Sequence, residues 1–384
     1  MREMYLSRPI RVPLMPEPSV TEAILAELER DAAFAAGAPF VELVAGFLAE
    51  NGAAAVPVSP ADTAESLAAR FAESMPLAGR PLAEVVERIR RDILPSAIRL
   101  SHPMYLGHQV SAPLPAAVWS DVVASALNNS LAVREMSPGG TALETQLVRW
   151  LAQLAGFGPE AGGTLTSGGT EATFTALLAA RAAVLPDAWI AGVGADAPVL
   201  VAGEHAHYAV SRAAGELGLG TSRVVTVPSR EWAMDPEALA ATLDRLRAEG
   251  RRVMAVIATA GSTATGSFDD LRRIGELCAE RGHWLHVDAA HGASALLSAA
   301  HRHRLDGLSL ARSVAWDPHK MMMVPLSAGM VLVREERDLE AAFAQRAPYL
   351  FHGGDGRRWD QGTRSAQCSR RFDALKVWVA LQRY

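Results

Sequence analysis

The sequence is short of cysteine, of long apolar runs and of surplus charge of either sign, and each shortage excludes a class of protein. Cys278 and Cys368 are its only cysteines. They lie far apart in no metal-like spacing, so no disulfide framework is expected and a reducing cytoplasm is the expected setting. No uninterrupted apolar stretch approaches the ~18 residues that a spanning helix needs. The opening MREMYLSRPIRVPLMP is broken by Arg2, Glu3, Arg8 and its prolines before any hydrophobic run, so no signal peptide is expected there. With 37 basic against 42 acidic side chains the formal net charge is −5, which offers no footprint for nucleic acid or for an anionic membrane surface.

What is present points to a folded protein of enzyme size. Of 384 residues 49% are hydrophobic, enough to bury a sizeable core and to exclude disorder for most of the chain. At roughly 150 residues per domain, the length fits two or three domains or one large α/β domain with satellites. The first hundred residues read as helices: Ser19 with Glu22, and Asp62 with Glu65, fit capping boxes. Segment 38–60 reads as a loop or hinge, and Pro81 to Leu94 as an amphipathic helix stopped before Pro95. Thr141 with Glu144 reads as a capping box opening the helix TALETQLVRWLAQLAG, which ends at Gly156. From about residue 162 the pattern alternates. Apolar runs (PVLVAG, RVVTVP, VMAVIATAG, WLHVDAA, AGMVLVR) are separated by helical stretches, which predicts a mostly parallel sheet buried on both faces. The last segment, RRFDALKVWVALQRY, predicts a helix with Leu375, Trp378 and Leu381 on one face, and the chain reads as stopping short of a domain end.

Four features fall at or just beyond predicted strand ends, where open α/β sheets hold ligands. In TSGGTEATF (166–174), bare backbone N–H groups and the Thr170 hydroxyl at a helix start suit an anion such as phosphate. Read alone, the same residues also make an ordinary turn with an N-cap, and they form neither a Walker A motif nor GxGxxG. EHAHYAV (204–210) offers an imidazole able to lie flat on an aromatic ligand, or a plain loop histidine. In HWLHVDAAHG (283–292), Asp288 ends an apolar strand, where a carboxylate is costly unless it meets a cation. His283, His286, Asp288 and His291 also invite a metal, but His283 faces away from His286 and Asp288, and no second ligand cluster follows. In WDPHKMMMVP (316–325), Lys320 sits among apolar neighbours, which depress a lysine pKa as a Schiff-base amine requires; alone it could equally snorkel to the surface. Together, a phosphate cradle, a stacking imidazole, a strand-end carboxylate and a desolvated lysine are the set that pyridoxal 5'-phosphate requires.

With these residues in place the sequence resembles the pyridoxal-phosphate-dependent group II amino-acid decarboxylases, the relatives of glutamate, aromatic-amino-acid and diaminobutyrate decarboxylases. The likeness runs from about residue 95 to the last residue. It rests on HPMYLGH (102–108), SPGGTALETQLVRWL (137–151), TSGGTEA, EHAHYAV, ATAGSTATGSFDD (258–270), HVDAAHG, DPHK and QCSRRFDALKVW (367–378), in the family's order. The resemblance implies the α/β fold of aspartate aminotransferase, with a large domain on a seven-stranded mixed sheet, a small C-terminal domain, and a homodimer with sites at its interface. It divides this chain into a helical arm (1–95), a large cofactor-binding domain (96–345) and a catalytic loop with the start of the small domain (346–384).

By the same resemblance Lys320 is the Schiff-base lysine, Asp288 pairs with the pyridinium, and Ala290 lies close to the ring. His207, rather than His205, stacks on the ring. Gly169, Thr170 and His319 contact the phosphate with Asp317 nearby, and Ser262 stands where the family has threonine in a loop approaching the cofactor. Tyr349 matches the tyrosine of the family's mobile catalytic loop, a general acid. His108 and Gln109 replace the large aromatic residues of the aromatic-amino-acid enzymes, which favours an acidic or amino substrate side chain. The implied activity is α-decarboxylation of an L-amino acid. Its rivals are a carbon–carbon lyase or decarboxylative oxidation with the same cofactor, a catalytically silent regulatory homologue, and a metal-dependent hydrolase.

Overall fold

The computed structural model of the protein describes residues 18–343 and 359–384. The chain divides into two units, Met1–Leu106 and Gly107–Tyr384. In the first, α1 (Pro18–Ala32) and α2 (Phe34–Glu50) are followed by α3 (Ala64–Arg70) and α4 (Leu82–Arg88). Part of the expected loop 38–60 is therefore helix: α2 runs through Pro39 to Glu50, because its alanines and leucines outweigh one lost backbone hydrogen bond. The cap of α3 sits one residue later than Asp62. Thr63 Oγ1 accepts the Ser66 N–H at 3.2 Å, and Asp62 instead pairs with Arg70 at 2.8 Å. Ser19 lies inside the first turn of α1 rather than before it. Beyond α4 the chain continues as a π-helical turn (Ile89–Ile93) and a 3-10 turn (Leu94–Ser96), crossing Pro95 where that ring needs no donor. Among the described residues of this unit only Leu43 and Val86 are buried apolar side chains, while Leu25, Leu28, Phe34 and Val41 stand exposed.

The second unit is built on a sheet. Its strands are β1 (Gly162–Thr166), β2 (Val199–Gly203), β3 (Val224–Val227), β6 (Val253–Thr259), β7 (Trp284–Asp288), β8 (Ser313–Trp316) and β9 (Gly329–Val333). A separate hairpin pairs β4 (Ser229–Arg230) with β5 (Ala233–Met234). The order β1-β9-β8-β7-β6-β2-β3 is parallel throughout except at β9, which runs antiparallel to both neighbours. Every residue of β6, β7, β8 and β9 is buried, which is why these strands read as largely apolar runs. Alternate side chains serve opposite faces. Val256, Leu285, Val314 and Leu332 join one core with Leu147, Leu151, Leu239 and Leu243, and Ala255, Ile257, Ala315 and Val331 join the other with Leu177 and Leu339.

The helices of this unit are α5 (Pro115–Leu127), α6 (Pro138–Leu154), α7 (Gly169–Val184), the short α8 (Ala188–Ala191), α9 (Ala209–Glu216), α10 (Pro236–Ala248), α11 (Leu271–Arg281), α12 (Arg337–Ala342) and α13 (Ala374–Arg383). Two expectations are corrected here. α6 starts a turn before the expected box, at Pro138, and Thr141 Oγ1 bonds back to the Ser137 carbonyl at 3.0 Å. Glu144 is no cap: fully buried, it pairs with Arg370 at 2.6 Å and accepts the Leu165 N–H at 3.3 Å, tying α6 to edge strand β1. α13 buries Ala374, Val377 and Ala380, one position off the expected stripe, with Leu375 and Leu381 at its margin. The exit of α6 is as expected, with Gly156 at φ +80 and Phe157 N–H bonded to the Ala152 carbonyl at 2.9 Å.

Candidate active site

Parallel strands carry their C-terminal ends to one edge of the sheet, and β1, parallel to β8 through β9, delivers its end to the same edge. A cavity of about 330 Å³ opens there. Thr259 ends β6 directly opposite Asp288, the last residue of β7. Asp317 follows β8, and Ser167, Gly168 and Gly169 follow β1 into the start of α7. All of these line the cavity, with Thr170, Glu171, His207, Gly261, Thr263, Ala290, His291, His319, Lys320 and Leu326.

Asp317 is the hub. Only 1% exposed, its Oδ2 accepts the Gly169 N–H at 3.0 Å and lies 3.1 Å from Lys320 Nζ and 3.4 Å from His319 Nε2. The Gly169 donor expected for phosphate is thus committed to Asp317. What Gly169 contributes is room, since a Cβ there would stand 2.9 Å from both the Ala290 methyl and Asp317 Oδ2. Its neighbour Gly168 is similarly pressed by His319, 3.2 Å from where a Cβ would lie. The His319 ring is held from both sides, because its Nδ1 accepts the Ala328 N–H at 3.0 Å. Asp288 is 8% exposed and its Oδ1 accepts the Ala290 N–H at 3.2 Å. A backbone dipole only partly offsets the cost of burying that charge, so the site suits a cationic group at Asp288.

The imidazoles share one electrostatic state. Burial pushes His207, His291 and His319 below the ordinary histidine value, and the nearby Lys320 ammonium adds to the effect in each. They line the cavity as neutral rings. His207 is oriented by the Ala209 N–H, which donates to its Nδ1 at 3.3 Å.

Several sequence-derived positions lie elsewhere. Ser262 does not line the cavity: its hydroxyl turns inward to Thr265, 2.9 Å from that hydroxyl, and borders a narrow cleft with His205, Trp232 and Asp269. The polar neighbours that face the cavity instead are Thr259 and Thr263. His108 and Gln109 are exposed and outside the lining, although Gln109 Nε2 donates to the Thr263 carbonyl at 2.8 Å. Tyr349 lies outside the described residues. The four residues that invited a metal do not converge. His286 is fully buried and bonded to Ser313 Oγ at 2.9 Å, His283 precedes β7, and only Asp288 and His291 reach the cavity. Among the described residues no group of three or more His, Cys, Asp or Glu is arranged to hold a metal ion. Gly261, Thr263 and His291 were missed as lining residues; the signal for them was their position in polar loops directly after β6 and β7. A larger cavity, about 730 Å³, lies at the opposite end of β1. Its charges pair among themselves, as in Arg364 with Glu336 at 2.7 Å, and it holds none of the strand-end groups.

The chain is similar to several known proteins. The pyridoxal-dependent decarboxylase conserved domain matches residues 65–384. An L-2,4-diaminobutyrate decarboxylase of Rhizobium meliloti (strain 1021) is 36% identical over 314 residues, covering 81% of this chain and 62% of its own length. The L-aspartate decarboxylase dtxS4 of Metarhizium robertsii is 35% identical over 297 residues, covering 77% and 59%. The chain therefore spans less than two thirds of the length of these relatives. The crystal structure of mouse CSAD superposes with a TM-score of 0.84 at 29% identity, covering 96% of this chain and 74% of that one.

Proposed function

Because the chain belongs to the pyridoxal-dependent decarboxylase family, we propose that it takes part in α-decarboxylation of a polar L-amino acid, yielding an amine and carbon dioxide, with pyridoxal 5'-phosphate as cofactor. The observation that carries this reading is that Lys320, Asp288 and His207 line one cavity, with Ala290 the small residue beside Asp288. The cavity fits such a group. The glycines at the start of α7 leave space that a Cβ would fill, and among the described residues Asp317 Oδ1 is buried without a hydrogen-bond partner.

When bound, the cofactor supplies an electron sink for the bond broken at the substrate's α-carbon. The chain's residues supply the rest. Lys320 presents its amine from a turn where Asp317 orients it. Asp288 would hold the ring nitrogen end of the group and favour a proton there, as a buried carboxylate does for a cation. A neutral His207 offers a flat face without adding charge, and Thr170 offers a hydroxyl at the helix start, where the dipole favours phosphate. Return of a proton to the substrate's α-carbon is assigned to the Tyr349 hydroxyl through the family resemblance of its segment. Substrate polarity is supported by the diaminobutyrate and aspartate named in the relatives. A homodimer is supported by the apolar stripe exposed on α5 (Val122, Val123 and Leu127), and size-exclusion chromatography with light scattering tests it.

The deciding experiment is Lys320→Ala. The parent protein should be yellow with added cofactor, fix that cofactor at Lys320 on borohydride treatment, and release carbon dioxide and amine from a panel of polar amino acids. The variant should lose the colour, the trapping and at least about a thousandfold in turnover. Full turnover in the variant would overturn the proposal, and an aldehyde in place of the amine would redirect it to oxidative decarboxylation.

A further inference from the structure

We propose that residues 109–114 are a rigid strap that fixes the turn bearing Lys320, with Ser111 as a positioning residue for the lysine; the catalytic meaning of this rests on the function proposed above. Three hydrogen bonds define the strap: two join it to residues that line the cavity and the third to the turn that follows Lys320. Gln109 Nε2 donates to the Thr263 carbonyl at 2.8 Å, Ser111 Oγ donates to the Lys320 carbonyl at 2.6 Å, and the Leu114 N–H donates to the Met323 carbonyl at 2.8 Å. Thr263 and Lys320 line the cavity from the loops after β6 and β8, so the strap spans both exits.

The turn it holds requires holding. Met323 N–H closes the turn on the Lys320 carbonyl at 3.0 Å, with Met323 at φ +55, a left-handed conformation costly for a residue with a Cβ. Such a conformation persists where surrounding contacts over-determine it. The strap is suited to that task. Pro113 and Pro115 limit its backbone freedom on either side of Leu114, and Leu114 packs on the main core where α5 begins. Lysine has a long, flexible side chain, so where its amine can reach depends first on where its backbone is anchored. Near-attack geometry is sensitive to shifts of about 1 Å. The Ser111 bond acts on the carbonyl of Lys320 itself.

The test compares Ser111→Ala and Ser111→Thr with the parent. Hydrogen–deuterium exchange in cofactor-free protein should rise about fivefold over 320–326 in Ser111→Ala and stay unchanged in α6 and β6, the size expected for one lost hydrogen bond. Colour should appear about fivefold more slowly when pyridoxal phosphate is added, and kcat should fall by a similar factor with KM within about twofold. Ser111→Thr, which keeps the donor, should restore all three. Exchange and colour rates within twofold of the parent in Ser111→Ala would overturn the proposal. So would a uniform rise in exchange with a fallen melting temperature, which marks a merely structural residue. If borohydride fails to fix the cofactor at Lys320 in the parent, the proposed function falls, and the exchange measurement on cofactor-free protein still decides whether the strap exists.

Discussion

Residues 18–106 and the unit from Gly107 onward are both rich in helix-forming sequence, yet they are stabilised differently. The first unit buries Leu43 and Val86 among its described residues and exposes many of its apolar side chains, with one side-chain cap, Thr63 on Ser66, and surface pairs such as Arg88 with Glu73. The second buries whole strands between two helical layers and carries charges inside, including Arg370 with Glu144, and Lys376 between Asp121 and Asp373. The first unit has few buried apolar side chains among its described residues, whereas the second is held by apolar burial and by polar groups that only the assembled sheet brings together. Exposed pairs contribute little net stability, so the two should respond on different scales to single changes.

Arg370→Ala should have the largest effect. It leaves the Glu144 carboxylate, 0% exposed, without its partner, and loss of about 3–5 kcal/mol is expected in urea titrations followed by tryptophan fluorescence. All the tryptophans (Trp119, Trp150, Trp189, Trp232, Trp284, Trp316, Trp359 and Trp378) lie in the second unit, so the probe reads that unit alone. A loss under about 1 kcal/mol would show that the buried pair does not distinguish the units.

Acid should come next. His286 is buried beside Ser313, and burial pushes its imidazole down to about 4 from an ordinary 6.5. Between those values the unfolded chain binds a proton that the folded chain refuses, so stability rises with pH. The contribution is complete above about 6.5 and is lost as pH falls toward 4, on the order of 3 kcal/mol. The part of the acid sensitivity due to His286 should vanish in His286→Asn. Parallel pH profiles for parent and variant would refute that assignment.

Thr63→Ala should have the smallest effect. Removing an exposed cap costs about 1 kcal/mol or less. Its signature is a lower helical circular-dichroism signal on mild heating with the tryptophan transition unmoved. Equal shifts in both probes would mean that the two units unfold as one.

Much of the second unit was legible in its sequence. The runs VLVAG, VMAVIAT, WLHVD, SVAW and GMVLV were legible because strands buried on both faces are mostly apolar, with the few polar members, such as His286 and Asp288, near their ends or hydrogen-bonded inside. Strand β1 was legible only by its end, just before TSGGTEATF, since GGTLT has neither an apolar run nor clean alternation; β9 pairs along its length and Glu144 satisfies its Leu165 N–H. The same limit applies in the site. Asp288, His207 and Lys320 stand out as polar residues at or after strand ends. Which hydroxyl of the loop after β6 faces the cavity depends on a turn that rotates Ser262 toward Thr265 and leaves Thr259 and Thr263 on the cavity side.

The order of apolar runs and polar strand-end loops, a local property of the chain, was sufficient to set the fold class and to point at several residues that line the candidate site. The partners of those residues were decided only by the folded sheet: Asp317 taking the Gly169 N–H and the Lys320 amine, Glu144 finding Arg370, and Ser111 reaching the Lys320 carbonyl. Each of these bonds joins segments remote in sequence or depends on loop conformation. Hydrogen bonds and ion pairs act over a few ångströms, so they exist only once hydrophobic burial has brought the groups together.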